Sequence, residues 1–85
     1  MKLSIIVPCF NEANTINLLI NAVKASPIDD KEIIVIDDGS TDGTREILQK
    51  INHKQIKVIY HKHNLGKGAA LRTGFANARG DICIV

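Results

Sequence analysis

The sequence is short of cysteine, long apolar runs, repeats and net charge, and each shortage argues against a class of protein. Its two cysteines, Cys9 and Cys83, stand inside apolar runs without ligand-like spacing. A disulfide framework or cysteine-built metal site is therefore not expected, and both are read as buried free thiols in a reducing compartment. No apolar run approaches the roughly 20 residues needed to cross a bilayer. Met1-Lys2 leads directly into a strand-like run rather than a secretory leader. The expected location is the cytoplasm, or the cytosolic face of a membrane if the full-length protein is attached to one. Eleven Lys and Arg against nine Asp and Glu leave a formal charge of +2, too small a bias to indicate nucleic acid. No internal repeat, low-complexity tract or flexible linker interrupts the chain. Its 85 residues, 45% hydrophobic and 24% charged, suit one small folded domain.

Hydrophobic periodicity then alternates along the chain. Leu3 to Val7 is a β-branched run, predicted to be a buried strand stopped by Pro8. From Asn14 to Ala25 the period changes: Ile16, Leu19, Ile20 and Val23 form one helical stripe, with Asn11 or Asn14 as candidate cap and Ser26-Pro27 as the stop. Glu32 to Asp37 carries four consecutive apolar residues, the mark of a strand covered on both faces. Asp42 is placed to cap a second helix that buries Ile47, Leu48 and Ile51. Ile56 to Tyr60 reads as a third strand. Lys67 to Arg79 reads as a third helix, with Ala70, Leu71, Gly74, Phe75 and Ala78 on one face and Gly80 at its C-terminus. Gly74 implies a close approach of that helix to the sheet. A fourth strand opens at Asp81.

The pattern β-α-β-α-β-α-β, with helices of ten to thirteen residues in each crossover, predicts an open, doubly wound, mostly parallel α/β sheet with three layers. The expected strand order is third, second, first, fourth. The apolar signal runs into Val85 without a turn or cap, so residues 1–85 are expected to be the N-terminal nucleotide-binding portion of one larger domain. The outer edge of the fourth strand is then expected to favour self-association.

In such a sheet all strand C-termini meet at one edge, where ligands bind. Three loops reach it: Pro8 to Glu12, Asp37 to Thr44 and His61 to Gly68. Adjacent strand residues point opposite ways, so Asp37 and Asp38 are expected to divide between supporting the turn and reaching the crevice. An acidic group there suits a nucleobase N–H or ribose hydroxyls. Gly39 and Gly43 allow sharp bends, and Ser40 and Thr41 read as local caps rather than nucleophiles. Asn64-Leu65-Gly66-Lys67-Gly68 leads into the third helix, whose free N–H groups, with Lys67 and Arg72, suit a phosphate. The full P-loop spacing and the dinucleotide fingerprint are both missing. His53, His61 and His63 invite a metal-site reading, but His61 and His63 form no closed metal set; these two are read as plain surface histidines, with a phosphate contact at the loop edge as the alternative.

Three blocks, Ile5 to Glu12, Glu32 to Thr44 and Asn64 to Gly74, closely resemble the N-terminal part of family-2 glycosyltransferases of the GT-A fold. The third block looks most like the branch containing dolichyl- and other polyprenyl-phosphate sugar synthases. The resemblance implies that Pro8, Phe10, Asn11 and Glu12 approach the nucleotide from the first loop. Asp37, Asp38, Gly39 and Ser40 would do so from the second, with Asp38 on the base or ribose. Asn64, Gly66, Lys67, Gly68 and Arg72 would form the third side. It further implies a UDP- or GDP-linked donor, hexosyl transfer with inversion to an acceptor such as a polyprenyl phosphate, and Mg²⁺ or Mn²⁺ in the full-length enzyme. The metal motif, the acceptor site and the catalytic base of that family would lie beyond residue 85, so these residues alone are expected to be inactive. A non-catalytic nucleotide-binding or regulatory module of the same fold is the alternative.

Overall fold

The computed structural model describes residues 2–25 and 30–84. Seven elements alternate: β1 (Leu3–Cys9), α1 (Ile16–Lys24), β2 (Lys31–Asp38), α2 (Thr44–Gln49), β3 (Ile56–His61), α3 (Lys67–Asn77) and β4 (Ile82–Ile84). The strands form one sheet in the order β3-β2-β1-β4, and every pairing is parallel. Both the architecture and the strand order match the sequence-based expectation.

Strand alternation divides the core into two halves. Ile5, Val7, Cys9, Ile33 and Val35 pack with Ile16 and Ile20 of α1 and Leu48 of α2. Ile6, Ile34 and Ile36 face the other way and pack with Ala70 of α3. The unbroken apolar run of β2 exists because both faces are covered, and Ile33 to Ile36 are each fully buried. Burial of each such side chain contributes on the order of 2 kcal/mol. The tightest contact is on the α3 side. A Cβ on Gly74 would collide with Ile6 Cγ2 and stand 3.0 Å from Ile36 Cδ1, so the missing side chain is what lets α3 lie against the sheet.

Several local expectations are corrected. Pro8 does not stop β1 but lies within it, opposite Ile36. Leu3 N donates to Asp30 O on the β2 side, whereas Lys2 O accepts from Asp81 N on the β4 side. The even-numbered residues thus face β4, which pairs with β1 only as far as Ile5. The missing N–H of Pro8 falls where no described strand needs it. Neither Asn11 nor Asn14 caps α1; Thr15 occupies that position, and its hydroxyl donates to Glu12 Oε2 at 2.8 Å. Leu19 and Phe75, expected inward, are 41% and 48% exposed. The helices are shorter than expected, α2 having six residues. Its end is tightened by bonds from Lys50 N to Ile47 O and from Ile51 N to Leu48 O. Gly80 is not in a left-handed C-terminal turn; it packs against Ser4, whose hydroxyl accepts from Gly80 N at 2.8 Å. Cys83 is exposed, not buried, while Cys9 is buried and both are free. The Ser26-Pro27 stop and Val85 lie outside the described residues. Among those described, no helix is long and apolar enough to cross a membrane.

Candidate functional site

The loops after β1, β2 and β3 leave the same edge of the sheet. The first two are joined to each other by hydrogen bonds. Asn11, in a left-handed conformation at φ 53°, has its backbone N–H on Ser40 Oγ at 2.9 Å, while its side-chain Oδ1 accepts from Thr41 N at 2.8 Å. Glu12 N donates to Thr44 Oγ1 at 2.9 Å and Ala13 N to Asp42 Oδ2 at 3.1 Å. Asp42 Oδ1 accepts from Thr44 N at 3.0 Å, opening α2 as expected although Gly43 holds the cap position. The bond from the Thr44 hydroxyl, with those from Ala13 and Thr44 N–H, holds the Asp42 carboxyl below its ordinary range.

The second and third loops are joined through Asp38. Its Oδ1 lies 2.8 Å from His61 Nδ1 and accepts from Leu65 N at 3.0 Å; its Oδ2 accepts from Gly66 N at 2.9 Å. Asn64 Nδ2 reaches Asp38 O at 3.3 Å. Burial works to raise the Asp38 pKa, but the bonds from His61, Leu65 and Gly66 outweigh it and the carboxyl titrates below its ordinary range. His61 is therefore no surface histidine: its side chain is 11% exposed. The parallel register that sets it opposite Asp38 cannot be fixed from one sequence, which is why the residue was missed.

Asp37 points to the opposite face, as alternation requires. It is fully buried, and its Oδ2 stands 3.6 Å from Arg45 Nε, an ion pair too long for a hydrogen bond. The Arg45 guanidinium also lies 5.0 Å from the centre of the Tyr60 ring. Burial, then the Asp37 charge, raises the Tyr60 pKa. Burial chiefly, with Asp37 second, pushes the Cys9 thiol up to about 12, which leaves it chemically inert.

Between the loops lies a pocket of about 530 Å³. Pro8, Phe10 and Glu12 form one wall, Asp38 the floor, and Asn64, Gly66 and Lys67 the other wall. Of the residues expected at the site, these seven line the pocket. Asn11, Gly39 and Ser40 stand behind them as supports of the loops, Asp37 is on the far face of the sheet, and Gly68 and Arg72 lie further along α3. Cys9 and Ala70 also line it; their place at the pocket follows from the fold, not from any local motif. Among the described residues no three His, Cys, Asp or Glu side chains stand close enough to hold a metal ion.

A comparison with known proteins gives the site its family. The model of "Glycosyl transferase family 2" matches residues 4–85. The dolichyl-phosphate β-glucosyltransferase of Saccharomyces cerevisiae is 37% identical over 92% of this chain and 27% of its own. The crystal structure of S. aureus TarS 1–349 in complex with UDP-GlcNAc superimposes with a TM-score of 0.87 and 31% identity, over 99% of this chain and 26% of that one. The mannosyltransferase PcManGT of Pyrobaculum calidifontis, in complex with GDP-Man and Mn²⁺, superimposes with a TM-score of 0.85 and 30% identity, over 96% and 26% respectively. The chain spans about a quarter of the length of the curated relatives it matches. The α/β fold matches GT-A glycosyltransferase structures, and the chain belongs to glycosyl transferase family 2.

Proposed function

We propose that residues 1–85 bind the nucleoside-diphosphate part of a sugar donor, as the N-terminal portion of a glycosyltransferase domain. The observation that carries this reading is the pocket at the loop edge, which sets Glu12 and Asp38 against Lys67 and the start of α3. The acidic side offers hydrogen-bond acceptors to a base N–H or to ribose hydroxyls. The basic side offers a cation and backbone N–H groups to the diphosphate.

The full-length protein, in this reading, transfers a hexose from a UDP- or GDP-linked donor with inversion, and a polyprenyl phosphate at the cytosolic face of a membrane is its acceptor. The dolichyl-phosphate relatives and the neighbours solved with UDP-GlcNAc and GDP-Man support this. The Mn²⁺ in one neighbour supports a divalent ion, which would offset charge on the leaving diphosphate. The described residues do not fit a resident metal, since among them no three His, Cys, Asp or Glu side chains stand together. Its ligands are assigned to residues after 85.

Titration calorimetry of the protein with UDP and with GDP, each with and without Mn²⁺, tests the binding reading. Saturable binding of one nucleotide is expected, weakened about tenfold or more by Lys67→Ala through loss of a charge-assisted contact. A folded sample that binds neither nucleotide contradicts it.

A further inference from the structure

Resting on the nucleotide-binding reading above, we propose that His61 is a positioning residue for the pocket, holding Asp38 with one ring nitrogen and α3 with the other. Asp38 and His61 are register partners at the ends of β2 and β3, so their side chains emerge side by side on the α3 face of the sheet. His61 Nδ1 lies 2.8 Å from Asp38 Oδ1, and His61 Nε2 lies 2.9 Å from Thr73 Oγ1. The imidazole thus bridges the floor of the pocket to the middle of the helix whose first residue is Lys67.

The chemistry fixes the direction of each bond. An ionised carboxylate only accepts, so the hydrogen between Asp38 and His61 sits on Nδ1. In the neutral ring Nε2 is then the acceptor, and the Thr73 hydroxyl donates to it. The two bonds work on different parts of the site. Through Oδ1, His61 orients the carboxylate that also receives Leu65 N and Gly66 N. Through Thr73, it sets the position of α3 along the sheet. The packing of Ala70 and Gly74 against β1 and β2 is apolar and far less directional than a hydrogen bond. A helix is stiff over the six positions from Thr73 to Lys67, so anchoring one anchors the other. His61 itself is absent from the pocket wall and acts through Asp38 and Lys67.

The test has two parts. Nitrogen-15 NMR of the full-length protein, at a pH where the ring-nitrogen shifts show the neutral imidazole, reports the tautomer of His61. The proposal predicts the proton on Nδ1; a proton on Nε2 overturns it, whatever the ligand. Separately, UDP and GDP are titrated with Mn²⁺ into the unsubstituted protein, Thr73→Val, Thr73→Ser and His61→Asn. Thr73→Val and His61→Asn are expected to lower affinity by about three- to tenfold, the span of one hydrogen bond, with Thr73→Ser restoring it. Unchanged affinity in Thr73→Val and His61→Asn overturns the proposal while leaving nucleotide binding intact. If the unsubstituted protein binds neither nucleotide, the reading of the pocket fails and this role fails with it. Should Thr73→Val not fold, the tautomer and the Thr73→Ser titration still decide: the wrong tautomer, or a Ser variant as weak as His61→Asn, rejects the clamp.

Discussion

Gly39 lies so close to Asn64 that a Cβ on the glycine would stand 2.5 Å from the Asn64 backbone nitrogen and 2.5 Å from the carbonyl carbon of His63. The β2–α2 and β3–α3 loops meet there backbone to backbone, and Gly39 adopts φ +73°. Ala at this position adds left-handed strain of about 1–2 kcal/mol to a collision that no side-chain rotation relieves. Gly39→Ala is expected to lose well over 2 kcal/mol of stability in urea unfolding and to abolish nucleotide binding. Gly66→Ala is the control: φ is +96°, yet nothing stands within 4 Å of the added carbon. It should lose only the strain of that glycine-favoured backbone conformation (φ 96°, ψ 160°), about 1–3 kcal/mol. Equal losses from the two substitutions would show that loop contact at Gly39 does not matter.

Gly74→Ala sets helix propensity against packing. Propensity favours Ala by about 1 kcal/mol. The added methyl meets Ile6 and Ile36, both fully buried, and overpacking of that kind costs about 1–3 kcal/mol. Packing is expected to win, with a net loss of up to about 2 kcal/mol by chemical denaturation. A stabilised Gly74→Ala protein would mean that α3 is not seated as tightly as described.

Acid should destabilise the fold through three carboxylates. Asp38, Asp42 and Glu32 all titrate below their ordinary range. For Glu32, burial works upward but the bonds from the Ser4 hydroxyl and the Arg79 and Gly80 amides prevail. A carboxyl whose folded pKa is depressed contributes stability above its unfolded pKa, near 4, and loses it as pH falls through the folded value. Unfolding free energy should therefore fall as the pH drops below about 4. Asp38→Asn turns an N–H₂ toward a donor and is expected to cost about 1–3 kcal/mol at pH 7. The gap to wild type should narrow below pH 4. A gap that stays constant from pH 7 to pH 3 would contradict the assignment of Asp38 as an ionised acceptor.

The two thiols should behave differently. Cys83 is exposed, and Cys9 is buried with its pKa pushed up to about 12. With a chromogenic thiol reagent at about pH 8, near the pKa of a free thiol, the native 85-residue chain is expected to release one equivalent quickly. The second should follow only in denaturant. Rapid reaction of both would place Cys9 in contact with solvent.

Much of the fold was legible because its signals are local. The β-branched runs of β1 and β2, the helical stripes and the polar, glycine-bearing loops each announce themselves within a few residues. The opposite directions of Asp37 and Asp38 followed from strand alternation alone. Legibility ended where an effect crosses between strands. Pro8 reads as a stop, yet the side of the sheet its nitrogen faces makes it tolerable within β1. His61 reads as a surface residue, yet register sets it beside Asp38. Asn11 reads as a helix cap, yet its side chain is spent on Thr41. Those relations depend on which residues lie opposite one another, and no periodicity reports that.

The central claim is that the nucleotide occupies the pocket at the C-terminal edge of the parallel sheet. Amide chemical-shift mapping by NMR during titration with UDP or GDP tests it most directly. The account predicts shifts confined to Phe10, Glu12, Asp38, Asn64, Gly66 and Lys67 and their neighbours. Shifts centred instead on Lys31, Gln55 and Lys57 at the opposite edge, or none at saturating nucleotide, would contradict it.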